Sequence, residues 1–282
     1  MARCLITGGK GFIGSHLVQV LRKRGHDVAT YDLIDGQDVL SAEQLDTAVS
    51  GCDVLFDCAG ILGSAETFAD VRSALEVNIF GTLATLEACR IWGVPMVYLS
   101  LKNEWHNPYM LSKRTGTELC EMYAEYQGVS VSVVRGLNAY GPGQHWGAVR
   151  KVVPMFVMQA LAGEPLRVYG DGRQIVDLIH VRDLAEIMVR LWERASWGTV
   201  IDGGTGVPLQ VVTLAHLIIE LANSDSVIEH VPMRIGEPEQ AIALADPSAA
   251  LMLLDFYPTI DLREGLIETI GWYRLHGQTV RR

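Results

Sequence analysis

The stretch Thr7-Gly8-Gly9-Lys10-Gly11-Phe12-Ile13-Gly14 restricts the fold of this chain more than any other. An apolar, strand-like run enters it at Arg3 to Thr7, and helical periodicity leaves it at His16 to Arg24. Glycine at these positions permits a tight turn, lets the backbone approach an outside group, and lets helix and strand pack closely. The same rhythm continues more loosely, with strand patterns at Asp27 to Tyr31, Val54 to Cys58, Met96 to Ser100 and Val129 to Val134. Helical patterns at Ala42 to Val49, Ser73 to Trp92 and Pro108 to Tyr126 fall between them. Strands separated by helices pair in parallel, so the expected class is α/β with a doubly wound parallel sheet. Ligands of such a sheet lie beyond the carboxyl ends of its strands.

After Asn138 the pattern changes. Gly141-Pro142-Gly143 makes a turn, a helix follows over Val152 to Ala162, and short extended pieces surround Gly170-Asp171-Gly172. This predicts a smaller α/β lobe with an interleaved boundary. Residues 1–165 form the main domain and 166–282 mainly the lobe, with the main sheet taking back about 175–205.

The glycine turn and the helix behind it form a dinucleotide fingerprint, because the helix N-terminus presents free N–H donors to a pyrophosphate. Gly8, Gly11, Phe12, Ile13 and Gly14 are the expected contacts. Asp32 follows the second strand, 18 residues past Gly14, placed to accept from a ribose 2′-hydroxyl and to repel a 2′-phosphate. NAD is favoured over NADP. Asp38 and Val39 are expected to border the adenine.

Tyr109 and Lys113 stand four residues apart behind Asn107-Pro108, a cap followed by a proline suited to a first helical turn. Both side chains share one helix face. An ammonium beside a phenol favours the phenolate, and lowering a phenol from ~10 toward ~7 takes about 4 kcal/mol of such help. Tyr109 is therefore the candidate acid/base, with Lys113 as its partner.

The formal charge of −10 and scattered basic residues argue against nucleic-acid binding. Five cysteines without a CxxC pair point to reduced thiols and a cytoplasmic location. No stretch reaches the ~20 apolar residues of a membrane span, and no metal-ligand spacing is present.

With these residues in view, the chain resembles an extended short-chain dehydrogenase/reductase, in the branch of NAD-dependent nucleotide-sugar epimerases and dehydratases. The likeness covers nearly the whole chain and rests on TGGKGFIGSHL, Asp32, FDCAG (56–60), NIFGT (78–82), PYMLSK (108–113), RGLNAYGPG (135–143), VYGDGRQ (168–174) and RIGEP (234–238). It implies a Rossmann-type cofactor domain and a substrate-binding lobe. It also implies that Cys58, Ala59 and Gly60 line the cofactor, that Asn78 supports its nicotinamide side, that Asn138 faces the substrate, and that Arg234 meets a nucleotide phosphate. A homodimer through two helices per subunit is expected, as is transient oxidation at C4 of a nucleotide sugar with Tyr109 as acid/base. Dehydration, decarboxylation or simple dehydrogenation, and a non-catalytic NAD sensor or scaffold, are the alternatives.

Two departures stand out. Only eight residues separate Ser100 from Tyr109, a shorter loop than in relatives, and Leu101 stands where they carry a Ser or Thr hydroxyl. Ser100, Glu104 and His106 are the candidates to replace it, and Ser100 is expected to border the cofactor as well. Val176 occupies the place of a phosphate-binding arginine, for which Arg173 and Arg182 are the nearest substitutes in sequence.

Overall fold

The computed structural model describes residues 1–102 and 105–277. Its strands are β1 (Arg3–Thr7), β2 (Asp27–Tyr31), β3 (Val54–Asp57), β4 (Met96–Ser100), β5 (Val131–Gly136), β6 (Asn138–Tyr140), β7 (Leu166–Tyr169), β8 (Ile175–Val176), β9 (Leu178–His180), β10 (Val200–Gly203), β11 (Leu209–Gln210) and β12 (Ile228–Val231). Its α-helices are α1 (Phe12–Lys23), α2 (Ala42–Val49), α3 (Val71–Leu75), α4 (Gly81–Trp92), α5 (Pro108–Tyr126), α6 (Val152–Ala162), α7 (Val181–Glu193), α8 (Val211–Ala222), α9 (Ser248–Leu254) and α10 (Leu262–His276). Six strands form one sheet in the order β10-β5-β4-β3-β1-β2, and every neighbouring pair is parallel. This is the Rossmann-type arrangement.

Strand alternation sorts the core into two layers. Cys4 and Ile6 of β1, Phe56 of β3 and Val97 of β4 pack with Leu17 and Leu21 of α1 and with Leu184 and Met188 of α7. Leu5, Leu55, Met96 and Tyr98 face the other way, toward Leu45 of α2, Leu86 of α4 and Cys120 of α5. Each fully buried aliphatic side chain contributes roughly 1.5–3 kcal/mol on leaving water.

The third core belongs to the lobe, and α6, expected in the main domain, is part of it: Val153, Phe156 and Val157 meet Leu214 and Ile218 of α8 and Leu266 and Ile270 of α10. Three short strand pairs surround it, β7 with β12, β8 with β11 and β6 with β9. Between lobe pieces the chain returns through α7, which packs on α1, to β10 beside β5. Asp177 lies at this crossing, fully buried, and accepts N–H bonds from Thr205 (2.9 Å), Gly206 (2.7 Å) and Ala245 (3.1 Å) and the Thr205 hydroxyl (2.6 Å).

One predicted helix differs. The periodicity over Ser73 to Trp92 reads as continuous, yet a π-helical turn, Glu76–Phe80, separates α3 from α4. Asn78 sits in that turn and bonds the N–H of Ile61 (2.7 Å), the carbonyl of Ile61 (3.0 Å) and the Ser112 hydroxyl (2.9 Å). A π turn in an α-helix commonly marks a functional position.

Candidate active site

A cavity of about 670 Å³ opens at the carboxyl ends of the strands and runs from the glycine turn to the lobe. At the first end Gly8 has φ +64°, and a Cβ there would lie 2.9 Å from the backbone of both Cys58 and Ala59. A Cβ on Gly14 would lie 2.2 Å from the Gly8 carbonyl oxygen. Both positions therefore require glycine. The N-cap of α1 is Gly11, with no side-chain cap and no acid in the first turn, which leaves the helix N-terminus available to an anion.

Asp32 stands on the rim of the cavity, its carboxylate accepting from the N–H of Lys10 (2.9 Å) and of Ile34 (3.1 Å). Asp38 and Val39 also line the cavity; the Asp38 carbonyl accepts from the Tyr31 phenol at 2.7 Å. Val39 fits against Gly81, where a Cβ would meet it at 2.8 Å. A cleft with a bare helix N-terminus, glycine-lined approaches and a carboxylate after β2 fits a dinucleotide with a free ribose 2′-hydroxyl.

Cys58, Ala59 and Gly60 line the cavity after β3. The Thr7 hydroxyl donates to Asp57 and lies 3.2 Å and 3.3 Å from the N–H groups of Cys58 and Ala59. Asp57 was not singled out in the sequence. It is fully buried, which pushes its carboxyl up, against the pull of Lys113 and the hydroxyls of Thr7 and Thr85. Asn78 is buried and does not line the cavity itself, but it bonds the N–H of Ile61, which does.

The side chain of Asn107 caps α5 by accepting from the N–H of Met110 at 2.9 Å, with Pro108 in the first turn. Tyr109 and Lys113 both line the cavity that holds the glycine turn, each only 6 % exposed. The Lys113 ammonium lies 4.3 Å from the centroid of the Tyr98 ring. The expected depression of the phenol is not the net effect in the protein alone. Burial pushes Tyr109 up to about 12, and Lys113 opposes that rise without overcoming it.

The Ser100 hydroxyl also departs from expectation. It donates to the Lys113 carbonyl at 3.0 Å and lies 2.6 Å from the Thr117 hydroxyl, so its proton is committed to α5. Ser100 itself lines the cavity, as do Leu101 and Trp105, whereas His106 is exposed and does not. Glu104 lies outside the described residues.

At the lobe end, Asn138 lines the cavity and donates to the Asp177 carbonyl at 3.3 Å. Val176 is there too, without a charge. Arg173 and Arg182 are not: the first lies 3.8 Å from Asp171 on the surface and the second pairs with Glu268. Besides Lys10 and Lys113, the lysines and arginines that line the cavity are Arg150, Lys151, Arg167 and Arg234. Lys151 was missed in the sequence. Its ammonium lies 5.6 Å from the centroid of the Tyr109 ring, and burial pushes it below the ordinary lysine value. The only local signal was a basic pair, Arg150-Lys151, at the start of an apolar helix. Arg234 is held by Glu66 (2.9 and 3.0 Å) and lies 3.5 Å from Glu237. Among the described residues, no group of three or more His, Cys, Asp or Glu could hold a metal ion.

Comparison with known proteins accords with this geometry. Residues 4–201 match the model of the NAD dependent epimerase/dehydratase family. The chain is 31% identical over 316 residues to a UDP-N-acetyl-alpha-D-glucosaminuronate decarboxylase of Bacillus cytotoxicus, with 96% of this chain and 98% of the relative covered. A solved epimerase of Methanothermobacter thermautotrophicus superposes with a TM-score of 0.93 at 26% identity, over 99% of this chain and 94% of that one. The UDP-glucose 4-epimerase of Thermus thermophilus, solved with NAD, superposes with a TM-score of 0.85 at 26% identity, over 97% and 99%.

Proposed function

The chain belongs to the NAD dependent epimerase/dehydratase family, and from that premise we propose that it is a nucleotide-sugar 4-epimerase. The observation that carries this reading is that Tyr109 and Lys113 share one cavity with a helix N-terminus and a set of cations. A bare helix N-terminus with Asp32 lies at one end, and four cations, Arg150, Lys151, Arg167 and Arg234, lie at the other. A cofactor held at the first end and a diphosphate held at the second leave the sugar beside the phenol.

NAD, held by the glycine turn, Asp32 and the segment 58–60, supplies a reversible hydride acceptor that is regenerated in each cycle. Tyr109, as phenolate, takes the proton of the sugar C4 hydroxyl as hydride leaves C4, and returns it to the same oxygen once the keto sugar has turned and C4 has taken hydride back on its opposite face. Lys113 stabilises the phenolate throughout. The arginine missing at Val176 is offset by Lys151, which reaches the cavity from the start of α6. Asn138 faces the sugar from β6.

A second reading is decarboxylation of a nucleotide uronate through the same 4-keto intermediate, favoured by the Bacillus relative, whose name gives that activity. Against it, Leu101 and Lys102 follow β4 where relatives with elimination chemistry carry acids.

Exposed apolar side chains at Phe80, Leu111, Met122 and Tyr126, along the π turn and α5, support a homodimer through α4 and α5. The five unpaired thiols suit a cytoplasmic enzyme, and no helix among the described residues is long and apolar enough to cross a membrane.

The test is the purified protein with a panel of UDP and dTDP sugars, followed by proton NMR. Retained NAD and a product inverted at C4 without added oxidant support the epimerase. Loss of carbon dioxide supports the second reading. Net NADH points to a dehydrogenase, and NAD retention without any conversion points to a sensor.

A further inference from the structure

Glu66 belongs to the cofactor domain, in a short turn between β3 and α3, yet it joins the two cationic pieces of the lobe. Its carboxylate lies 3.0 and 2.9 Å from one terminal nitrogen of Arg234 and accepts the backbone N–H of Arg150 at 3.1 Å. The other terminal nitrogen of Arg234 donates to the Arg150 carbonyl at 3.2 Å. Arg150 in turn bonds the Tyr169 hydroxyl at 2.5 Å, and the Arg234 guanidinium lies 5.6 Å from the centroid of that ring.

The turn is shaped to deliver this carboxylate. Gly63 has φ +112°, and a Cβ there would lie 2.5 Å from a Glu66 carboxylate oxygen, so only glycine leaves room. The buried Thr67 closes the turn by donating its hydroxyl to the Gly63 carbonyl at 2.8 Å. A second tie lies close by, where Asn107, the cap of α5, donates to the Gly236 carbonyl at 2.9 Å. The segment carrying Arg234 and Glu237 is thus fastened both to this turn and to the helix that carries Tyr109.

Glu66 itself does not line the cavity, whereas Ser64, Arg150, Lys151, Arg234 and Glu237 do. It holds one terminal nitrogen of Arg234, which also lies 3.5 Å from Glu237, while the other donates to the Arg150 carbonyl and Arg234 still lines the cavity. We propose that Glu66 is a positioning residue for substrate binding, a cofactor-domain carboxylate that holds Arg234 and the start of α6 in register for the diphosphate of a nucleotide sugar. This rests on the reading above that Arg234 and Lys151 meet that diphosphate. Losing the negative charge alone would favour an anion, whereas losing the grip disfavours it. The grip dominates, because the Glu66 carboxylate, unlike Arg234, does not line the cavity.

The experiment is calorimetric binding of UDP, dTDP, GDP, ADP and CDP to the NAD-loaded protein. It compares wild type with Glu66→Gln, Glu66→Asp, Arg234→Ala and the double variant Glu66→Gln with Arg234→Ala, all at equal bound NAD. Glu66→Gln is expected to weaken binding of the preferred nucleotide about tenfold, the order for a lost charge-assisted pair. Glu66→Asp, which keeps the charge but loses the reach, weakens it too. In turnover the loss appears in KM, with kcat held within about threefold. In the Arg234→Ala background the Glu66 substitution adds nothing, because its effect passes through Arg234.

Unchanged or tighter binding by Glu66→Gln beside a weakened Arg234→Ala overturns the positioning role alone. So does a full additive effect in the double variant, which would mark a merely structural part. Arg234→Ala binding as tightly as wild type, or wild type binding none of the five nucleotides, overturns the phosphate assignment and the positioning role together.

Discussion

Replacing Lys113 with methionine isolates the electrostatic part of the proposed acid/base mechanism. In the protein alone, burial holds the Tyr109 phenol at about 12, and Lys113 is the one cation that acts to lower it. At pH 8 such a phenol is ionised in only about one molecule in ten thousand. The bound cofactor and substrate must supply the remaining depression, and they act on top of what the lysine gives. An ammonium one helical turn away, at ~6 Å and an effective dielectric of ~20, contributes roughly 3 kcal/mol, about two pKa units.

The sign follows from the role. The phenolate is the working base, so activity is present above the pKa of the phenol and is lost as pH falls through it. Lys113→Met raises that pKa, so the acid limb of the kcat/KM profile should move upward by about two units, with roughly a hundredfold loss near neutrality. The assay is the profile of wild type and variant between about pH 6 and 10, with NAD occupancy matched so that weaker cofactor binding does not contribute. A limb that stays in place, with the same loss at every pH, would refute the electrostatic role and leave Lys113 as a cofactor contact only.

Other outcomes follow from single side chains. Asp32→Ala should narrow the preference for NAD over NADP by about ten- to a hundredfold, since one charge-assisted acceptor and one repulsion disappear together; an unchanged ratio of dissociation constants would remove the ribose assignment. Asp177→Asn keeps the volume but sets an amide against four donors, and should cost about 2–4 kcal/mol in denaturant unfolding; a loss below about 0.5 kcal/mol would show that the buried carboxylate is not what fastens Thr205, Gly206 and Ala245 to the lobe. Leu111→Glu places a charge in the exposed apolar strip of α5 and should halve the mass seen by light scattering; a wild type that already runs as a monomer removes the dimer.

Where the sequence was legible, the physics was local. Gly8 and Gly14 stand out because the backbone there tolerates no Cβ, and Tyr109 and Lys113 because one helical turn brings them together behind a recognisable cap. Asp32 is readable because it directly follows a strand. What stayed hidden was assembled across the chain. Glu66 meets Arg234 over 168 positions, and Lys151 reaches Tyr109 from a helix of the other lobe. No periodicity or spacing encodes such meetings. Ser100 shows a further limit: its position was readable, but the commitment of its hydroxyl to the Lys113 carbonyl follows only from how α5 lies against β4. Arg173 and Arg182 show the converse, since nearness to Val176 in sequence did not bring either into the cavity.

Whether Tyr109 moves the proton of a sugar hydroxyl is decided by Tyr109→Phe, assayed by proton NMR against the sugar nucleotide that wild type converts. The substitution removes one oxygen and leaves the ring, Lys113 and the glycine turn as they are. NAD retention should be unchanged and conversion reduced about a hundred- to ten-thousandfold, the scale of a lost general base. Conversion by the variant at the wild-type rate would contradict that role.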